Sequence, residues 1–335
     1  MKLPLVSILI PYKNTEEYLH DCLLSIIAQS YPHWEVLSVN DHSSDHSQEI
    51  INQFAQNDSR IKSLDNRGNG IIDALKTAYA AAQGELITRM DSDDVMSPQK
   101  LEVMVNKLRS NGIGHIAIGK VKYFSHRGIS NGYERYEHWL NALTARGGNF
   151  EEIYKECVIP SPCWMVHRVD LDACGAFEPD RYPEDYDLTF RFYENNLMCI
   201  PCDKVLHHWR DYDSRTSRTS EHYAQNYFLG IKLLYFLKLD RDVNRPLVLW
   251  GAGHKGKDIA RQLVKQKISF HWICDNPKKI GKSIYGQQLL HFNRYAGFDN
   301  AQSIITVANE AAQTQIRNYF FGLGKKEGLD YYFFC

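Results

Sequence analysis

Short apolar runs and amphipathic stretches alternate along the first third of the chain. Val6 to Ile10 is an apolar-rich run closed by Pro11, the pattern of a strand buried on both faces. Thr15, Glu16 and Glu17 then open a helix whose apolar positions Leu19, Cys22, Leu23, Ile26 and Ile27 share one face, and Tyr31-Pro32 stops it. Trp34 to Val39 predicts a second strand, Ser44 to Phe54 a second helix, Ile61 to Leu64 a short strand, and Ile71 to Ala82 a helix followed by Gly84. Glu85 to Met90 predicts a fourth strand, which runs directly into Asp91-Ser92-Asp93-Asp94. This alternation predicts an α/β domain on a parallel sheet with helices on both faces. Ligands of such sheets sit beyond the carboxyl ends of the strands. Three polar clusters fall there: Pro11 to Asn14, Asn40 to Asp45, and Asp91 to Asp94.

From about residue 125 to 220 the pattern is less periodic and richer in aromatic residues and Pro, as in a mixed region that completes a site. Tyr227 to Leu239 is the most apolar helical stretch and is interrupted by Lys232 and Lys238; it reads as a packing helix, with contact at a membrane surface as the alternative. The polar run Asp240 to Pro246 marks a boundary. After it an apolar strand, Leu247 to Trp250, leads into Gly251-Ala252-Gly253-His254-Lys255-Gly256 and a helix over Lys257 to Lys265. Three parts are therefore expected: a domain over 1–222, a linking helix over 223–245, and a small domain over 246–335.

Composition adds mainly exclusions. At 335 residues, with 44% hydrophobic and 24% charged residues, the chain has the make-up of a globular protein with room for two domains. Its net charge of −1 gives no bulk attraction to nucleic acid, so no nucleic-acid partner is expected. No signal-peptide pattern opens the sequence and no apolar run spans a bilayer, so a cytoplasmic location is expected, with peripheral contact at the inner face of the membrane left open. Of the eight cysteines only Cys199 and Cys202 have metal-like spacing. They read better as reduced apolar thiols, although His207 and His208 nearby keep zinc as an alternative.

The acidic cluster carries the chemistry. Asp91, Asp93 and Asp94 crowd at a strand end, which is unfavourable unless a positive group binds there. A hard divalent ion such as Mg²⁺ or Mn²⁺ prefers oxygen ligands and uses one or two protein carboxylates, with phosphate oxygens completing its shell. A plain turn before the helix opened by Ser97-Pro98 is the simpler alternative. Asp41, at the end of the second strand, is placed either to accept hydrogen bonds from a base or ribose or to cap the next helix.

Together these segments resemble the family 2 glycosyltransferases, which have the GT-A fold. The resemblance lies in Val6 to Asn14, Val39 to Asp45, Arg89 to Asp94, and the later Glu-Asp element Pro183-Glu184-Asp185-Tyr186-Asp187-Leu188, and covers roughly residues 3–220. It implies an inverting transferase that moves a sugar from a nucleotide-diphosphate donor to a glycan or lipid-linked saccharide acceptor, as in bacterial surface polysaccharide synthesis. In that reading Pro11, Tyr12, Asn14, Asp41, Arg67, Asp91, Arg215 and Arg218 bind the donor. Asp93, Asp91 and His207 hold Mn²⁺ or Mg²⁺, with a packed structural role the simpler one for His207, and Asp185 is the catalytic base. Trp139 and Trp164 are candidates to stack on sugar rings, with core packing the simpler role. The family usually has Gly where this chain has His42.

The C-terminal segment resembles the small Rossmann-like domains appended to sugar-modifying enzymes. Gly251, Gly253 and Gly256 between a strand and a helix, with Asp275 closing the next strand, match a dinucleotide fingerprint. NAD(P) binding, weak nucleotide binding and a docking module all stay open for this segment. Two rival functions follow: an NAD-dependent sugar-modifying oxidoreductase or epimerase, and a nucleotide-sensing scaffold.

Overall fold

The computed structural model describes residues 3–213, 215 and 228–335. The chain forms two compact units. One comprises Met1–Phe150 with Val158–Arg215; the other comprises Glu151–Cys157 with Thr216–Cys335.

In the first unit, strand β1 (Val6–Tyr12) is buried throughout and leads into helix α1 (Glu16–Ile27). Then come β2 (Trp34–Asn40), α2 (Ser47–Asn57), β3 (Ile61–Asp65), α3 (Gly70–Ala81) and β4 (Leu86–Arg89). These four strands are parallel, in the order β3-β2-β1-β4. Their apolar runs make them the centre of a core that includes Ile8, Ile10, Val36 and Leu86. The chain continues through β5 (Val95–Met96), α4 (Lys100–Asn111), β6 (His115–Phe124), α5 (Asn131–Arg146), β7 (Trp164–His167), α6 (Arg168–Ala173), α7 (Glu184–Glu194) and β8 (Met198–Arg210). These strands extend the sheet as β4-β7-β6-β8-β5. The parallel sheet expected from the first third of the chain is present in β1 to β4. β7 runs antiparallel to both β4 and β6, so the sheet is mixed beyond β4.

Helix α2 starts three residues later than its pattern suggests, because residues 43–46 are bonded to the loop after β1. Asn14 Oδ1 accepts from Ser44 N at 2.7 Å, Asp45 Oδ2 accepts from Glu16 N at 3.0 Å, and Glu16 Oε2 accepts from His46 N at 2.7 Å. Asp45 thus supplies the acceptor at the start of α1, and the Thr15 side chain does not cap it.

In the second unit, α8 (Leu229–Tyr235) continues as a wider helical turn over Phe236–Asp240. Residues expected to link two domains therefore belong to this unit. Then come β9 (Leu247–Trp250), α9 (His254–Lys265), β10 (His271–Cys274), β11 (Ser283–Ile284), β12 (Gln287–His291), β13 (Gln302–Ile305), α10 (Glu310–Gly322) and β14 (Tyr331–Phe333). The sheet order is β11-β12-β10-β9-β13-β14, parallel except for the β11–β12 hairpin. Trp250, Ile305, Phe320 and Tyr331 are among its core residues.

Candidate active site

The acidic residues lie on a turn fixed at both ends. Behind it is β4; ahead of it β5 pairs with His207 and His208 of β8. Asp94 is fully buried within the protein. Its Oδ1 accepts from Arg210 N at 2.7 Å, and its Oδ2 accepts from His207 Nε2 at 2.9 Å. Arg210 also donates from Nε to the Asp93 carbonyl at 2.9 Å and from Nη2 to Asp21 at 3.0 Å, clamping the turn. Asp91 and Asp93 are only partly buried. Asp93 Oδ2 accepts from the Tyr212 hydroxyl at 2.8 Å. Burial and the charge of Asp94 push the Asp93 carboxyl up to about 7. The guanidinium of Arg215 opposes that rise, and Asp94, Asp93 and Asp91 in turn keep Arg215 charged.

The Glu-Asp element opens α7. Glu184 and Asp187 are both neutralised by arginines. Glu184 Oε1 accepts from Arg89 Nη1 at 2.8 Å, and Asp187 accepts from Arg181 and Arg191 at 2.7 Å each. Asp185 differs from both. Among the described residues its carboxylate accepts one hydrogen bond, from Tyr186 N at 2.7 Å. Burial and then Glu184 push its carboxyl up to about 7, against the pull of Arg89. That is the range in which a carboxylate works as a general base near neutral pH. Arg89 reaches the acidic turn as well, with Nη2 at 3.0 Å from Asp91 Oδ1. One buried guanidinium therefore connects the turn after β4 with the helix that carries Asp185.

Asp41 lies at the carboxyl edge of β2. Its Oδ1 accepts from Asn66 Nδ2 at 2.7 Å and from Gly70 N at 2.8 Å, and Oδ2 faces Lys13 Nζ at 3.4 Å. Burial raises its carboxyl, but these bonds and Lys13 outweigh burial and hold it below the usual carboxylate range. Pro11 and Tyr12 are buried at the end of β1, and the Tyr12 hydroxyl donates to Gln48 Oε1 at 2.9 Å. Asn14 has its amide oxygen engaged by Ser44, while Arg67 is exposed on the loop after β3. His42 has φ +58°, a region Gly enters freely, so the backbone here would suit the Gly that the family resemblance implies. Its Nε2 lies 2.8 Å from the Gly68 carbonyl.

The structure thus gathers Asp91, Asp93, Asp185 and Arg215 in one electrostatic cluster and places Pro11, Tyr12 and Asp41 at the adjoining strand ends. Two residues offered with a simpler packing role occupy packed positions. His207 is not disposed to ligate a metal: it is fully buried, with Nε2 on Asp94 and Nδ1 3.5 Å from Lys100 Nζ. Burial and Lys100 keep its imidazole neutral. Trp164 is a core residue packed edge-on to Phe192, in agreement with the simpler role expected of it. Arg218 lies outside the described residues. Among those residues no three His, Cys, Asp or Glu side chains form a ready-made metal set, and Cys199 and Cys202 are free thiols. The sequence reading missed Arg89, Arg210, Tyr212 and Asn66. Only Arg89 left a signal: an arginine inside a buried strand needs acid partners.

In the second unit, Gly251 and Gly256 have packing duties. A Cβ on Gly256 would lie 2.1 Å from the Gly251 carbonyl oxygen, and one on Gly251 would lie 2.5 Å from Thr306 Oγ1. Gly253 faces open space at the start of α9, and Asp275 is exposed just past β10.

This fold and this disposition of acids agree with the match to the family model "Glycosyl transferase family 2", which covers residues 7–175. The chain belongs to that family. It is 28% identical over 223 residues to the putative glycosyltransferase EpsH of Bacillus subtilis, an alignment covering 63% of this chain and 62% of EpsH. It is also 28% identical over 208 residues to the Escherichia coli UDP-Glc:alpha-D-GlcNAc-diphosphoundecaprenol beta-1,3-glucosyltransferase WfgD, covering 62% of this chain and 77% of that one. The chain thus spans under two thirds of EpsH. Among solved structures it resembles the mannosyltransferase PcManGT of Pyrobaculum calidifontis, in complex with GDP-Man and Mn²⁺. The TM-score is 0.53 at 18% identity, over 71% of this chain and 65% of that one. At that identity the likeness concerns the fold. Among the described residues no helix is long and apolar enough to cross a membrane.

Proposed function

We propose that the first unit is a GT-A transferase domain that moves a sugar from a nucleotide-diphosphate donor to a hydroxyl of a glycan or lipid-linked saccharide, in bacterial surface polysaccharide synthesis. The observation that carries this is Asp185, the one acid at the start of α7 with no arginine bonded to it among the described residues, joined through Glu184 and Arg89 to the acidic turn. The named relatives and the nucleotide-sugar complex of the structural neighbour support the substrate class. The oxidoreductase and scaffold readings draw no support from them.

In this reading Asp41 and the ends of β1 and β2 hold the nucleoside, and Asp185 removes the proton from the acceptor hydroxyl as its oxygen attacks the anomeric carbon. The bond to the diphosphate breaks as the new bond forms, and a single displacement of this kind inverts the anomeric centre. Asp91 and Asp93 suit a hard divalent ion: two oxygen donors, partly open, on a turn whose mutual repulsion such an ion relieves. When bound, Mn²⁺ or Mg²⁺ supplies charge neutralisation at the departing diphosphate. Arg215 adds fixed positive charge beside it. The second unit is a Rossmann-like domain in this proposal, with its open ground at Gly253.

The test is transfer from a panel of nucleotide sugars, with and without Mn²⁺, by the wild type and by Asp185→Asn. The reading requires metal-dependent release of a nucleoside diphosphate that Asp185→Asn abolishes. Full turnover in that variant would remove Asp185 from the mechanism.

A further inference from the structure

The parallel sheet of the second unit has two unlike ends. The glycine loop lies at the carboxyl ends of its strands. At the amino ends lie the segment 241–246 entering β9, the segment 323–330 between α10 and β14, and the last turn of α9. Four large apolar side chains are exposed there: Phe321 at 84%, Val243 at 81%, Leu329 at 55% and Leu323 at 41%.

Hydrogen bonds hold these segments together. Arg245 donates to the Leu329 carbonyl at 3.2 Å and to Asp330 Oδ1 at 2.5 Å. Gln302 Nε2 donates to the Leu329 carbonyl at 3.3 Å, while Gln302 Oε1 accepts from Asp242 N at 3.1 Å. Lys325 N donates to the Phe320 carbonyl at 3.0 Å, which turns the chain sharply after α10. Val243, Leu329 and the end of α10 therefore share one fixed surface.

The charge on this surface is one-sided. Arg241, Lys325 and Lys326 lie on the segments just joined, and Lys265, which ends α9, and Lys267, just past it, lie at the same, amino end of the sheet. Of the acids there, Asp330 is bonded to Arg245, Glu327 to Arg317 and Asp240 to Tyr154, which leaves Asp242 and Asp299 among the described residues. A chain of net charge −1 has concentrated cations around these side chains, of which Phe321 and Val243 are the two most exposed large apolar ones among the described residues.

We propose that this end of the second unit docks on an anionic lipid bilayer. Phe321, Leu323, Val243 and Leu329 enter the headgroup region, and the lysines meet lipid phosphates. Charge selects this occupant. A second copy in a two-fold contact would bring the same lysines face to face. A bound peptide needs a groove, whereas these apolar side chains stand apart on separate segments. Apolar side chains among lysines match an interfacial membrane contact, in which both terms contribute. The proposal does not depend on the transfer reaction.

The test is flotation of the full chain with phosphatidylcholine vesicles and with vesicles containing about one-third phosphatidylglycerol. Binding to the anionic vesicles, weakened by salt, is expected. Phe321→Ser with Leu323→Ser, and separately Lys325→Glu with Lys326→Glu, each weaken it by about tenfold or more. These side chains are outside the core, so thermal melting should be unchanged, and it is measured alongside. No binding to anionic vesicles, equal binding to neutral ones, or undiminished binding by both variants overturns the proposal. So does a wild-type dimer, seen by sedimentation, that the Phe321 variant converts to monomer, because a second copy then covers the face.

Discussion

Arg89 and Glu184, ninety-five residues apart in sequence, form a buried ion pair with Nη1 and Oε1 2.8 Å apart. The same guanidinium holds Asp91 at 3.0 Å. Removing one partner of such a pair leaves a buried charge uncompensated, typically at about 3–5 kcal/mol. Arg89→Met is therefore expected to lower the melting temperature sharply and to cut turnover. Lysine cannot reproduce the two-sided fork, so Arg89→Lys should recover stability more than turnover. Equal recovery of both would show that only the charge matters.

With Asp185 as the proposed base, turnover acquires a pH dependence with a defined sign. A base must be unprotonated to act, and this carboxyl sits at about 7. Turnover should rise with pH through neutrality and level off above it, and Asp185→Asn should lose about 10²–10⁴-fold. Stability runs the other way. A carboxyl whose folded value exceeds its unfolded value contributes stability fully present below the unfolded value, near pH 4, and lost as pH rises through about 7. Asp185→Asn should thus raise the melting temperature at pH 8 relative to wild type, with the gain disappearing toward pH 4. Melting curves of both proteins across that range check this.

If Asp93 holds the proposed metal, binding is coupled to protons. With its carboxyl raised to about 7, a divalent ion must displace a proton at pH 6 but not at pH 8. Stabilisation by Mn²⁺ with a nucleoside diphosphate should grow across that interval, and Asp93→Ala should abolish it. Calorimetry in two buffers of different ionisation enthalpy measures the proton release directly.

His207 should behave as a structural residue. Its imidazole joins Lys100 to Asp94 inside the protein. His207→Phe leaves both of these polar groups short of a partner, so a clear loss of stability is expected. Apparent Mn²⁺ affinity of the folded protein should stay within a few-fold of wild type. A loss of metal affinity larger than the loss of stability explains would restore it as a ligand.

The glycines of the second unit separate by their surroundings. Gly256→Ala forces a Cβ to 2.1 Å from the Gly251 carbonyl oxygen and should destabilise that unit, whereas Gly253→Ala meets nothing within 4 Å and should melt like wild type. Differential scanning calorimetry distinguishes the two.

Legibility from the sequence followed burial. β1, β2 and β9 could be read because each is a short apolar run buried from end to end or nearly so. The reversal at β7 left no comparable mark, because a strand's direction is fixed by where the chain re-enters the sheet, not by its own residues. The site divides in the same way. Asp91, Asp93 and Asp185 announce themselves by crowding acids at element ends. Tyr212, Asn66 and Arg210 owe their roles to partners 25 or more residues away and carry no local signature. His207 lies between Leu206 and His208 and opposite Met96 in the sheet, which buries it and agrees with its simpler reading as a packed residue.

The two-strand anchorage of the acidic turn bears on how such a site diversifies. With β4 behind it, β5 ahead of it and Arg210 clamping its backbone, residues 90–94 have little freedom to drift. On the proposed function, substitutions accumulating in the loops around it can reshape the surfaces that meet base, sugar and acceptor without moving the carboxylates. The catalytic frame and the specificity surface are then separately evolvable, and exchanging loops between relatives should redirect the choice of substrate while the frame stays in place.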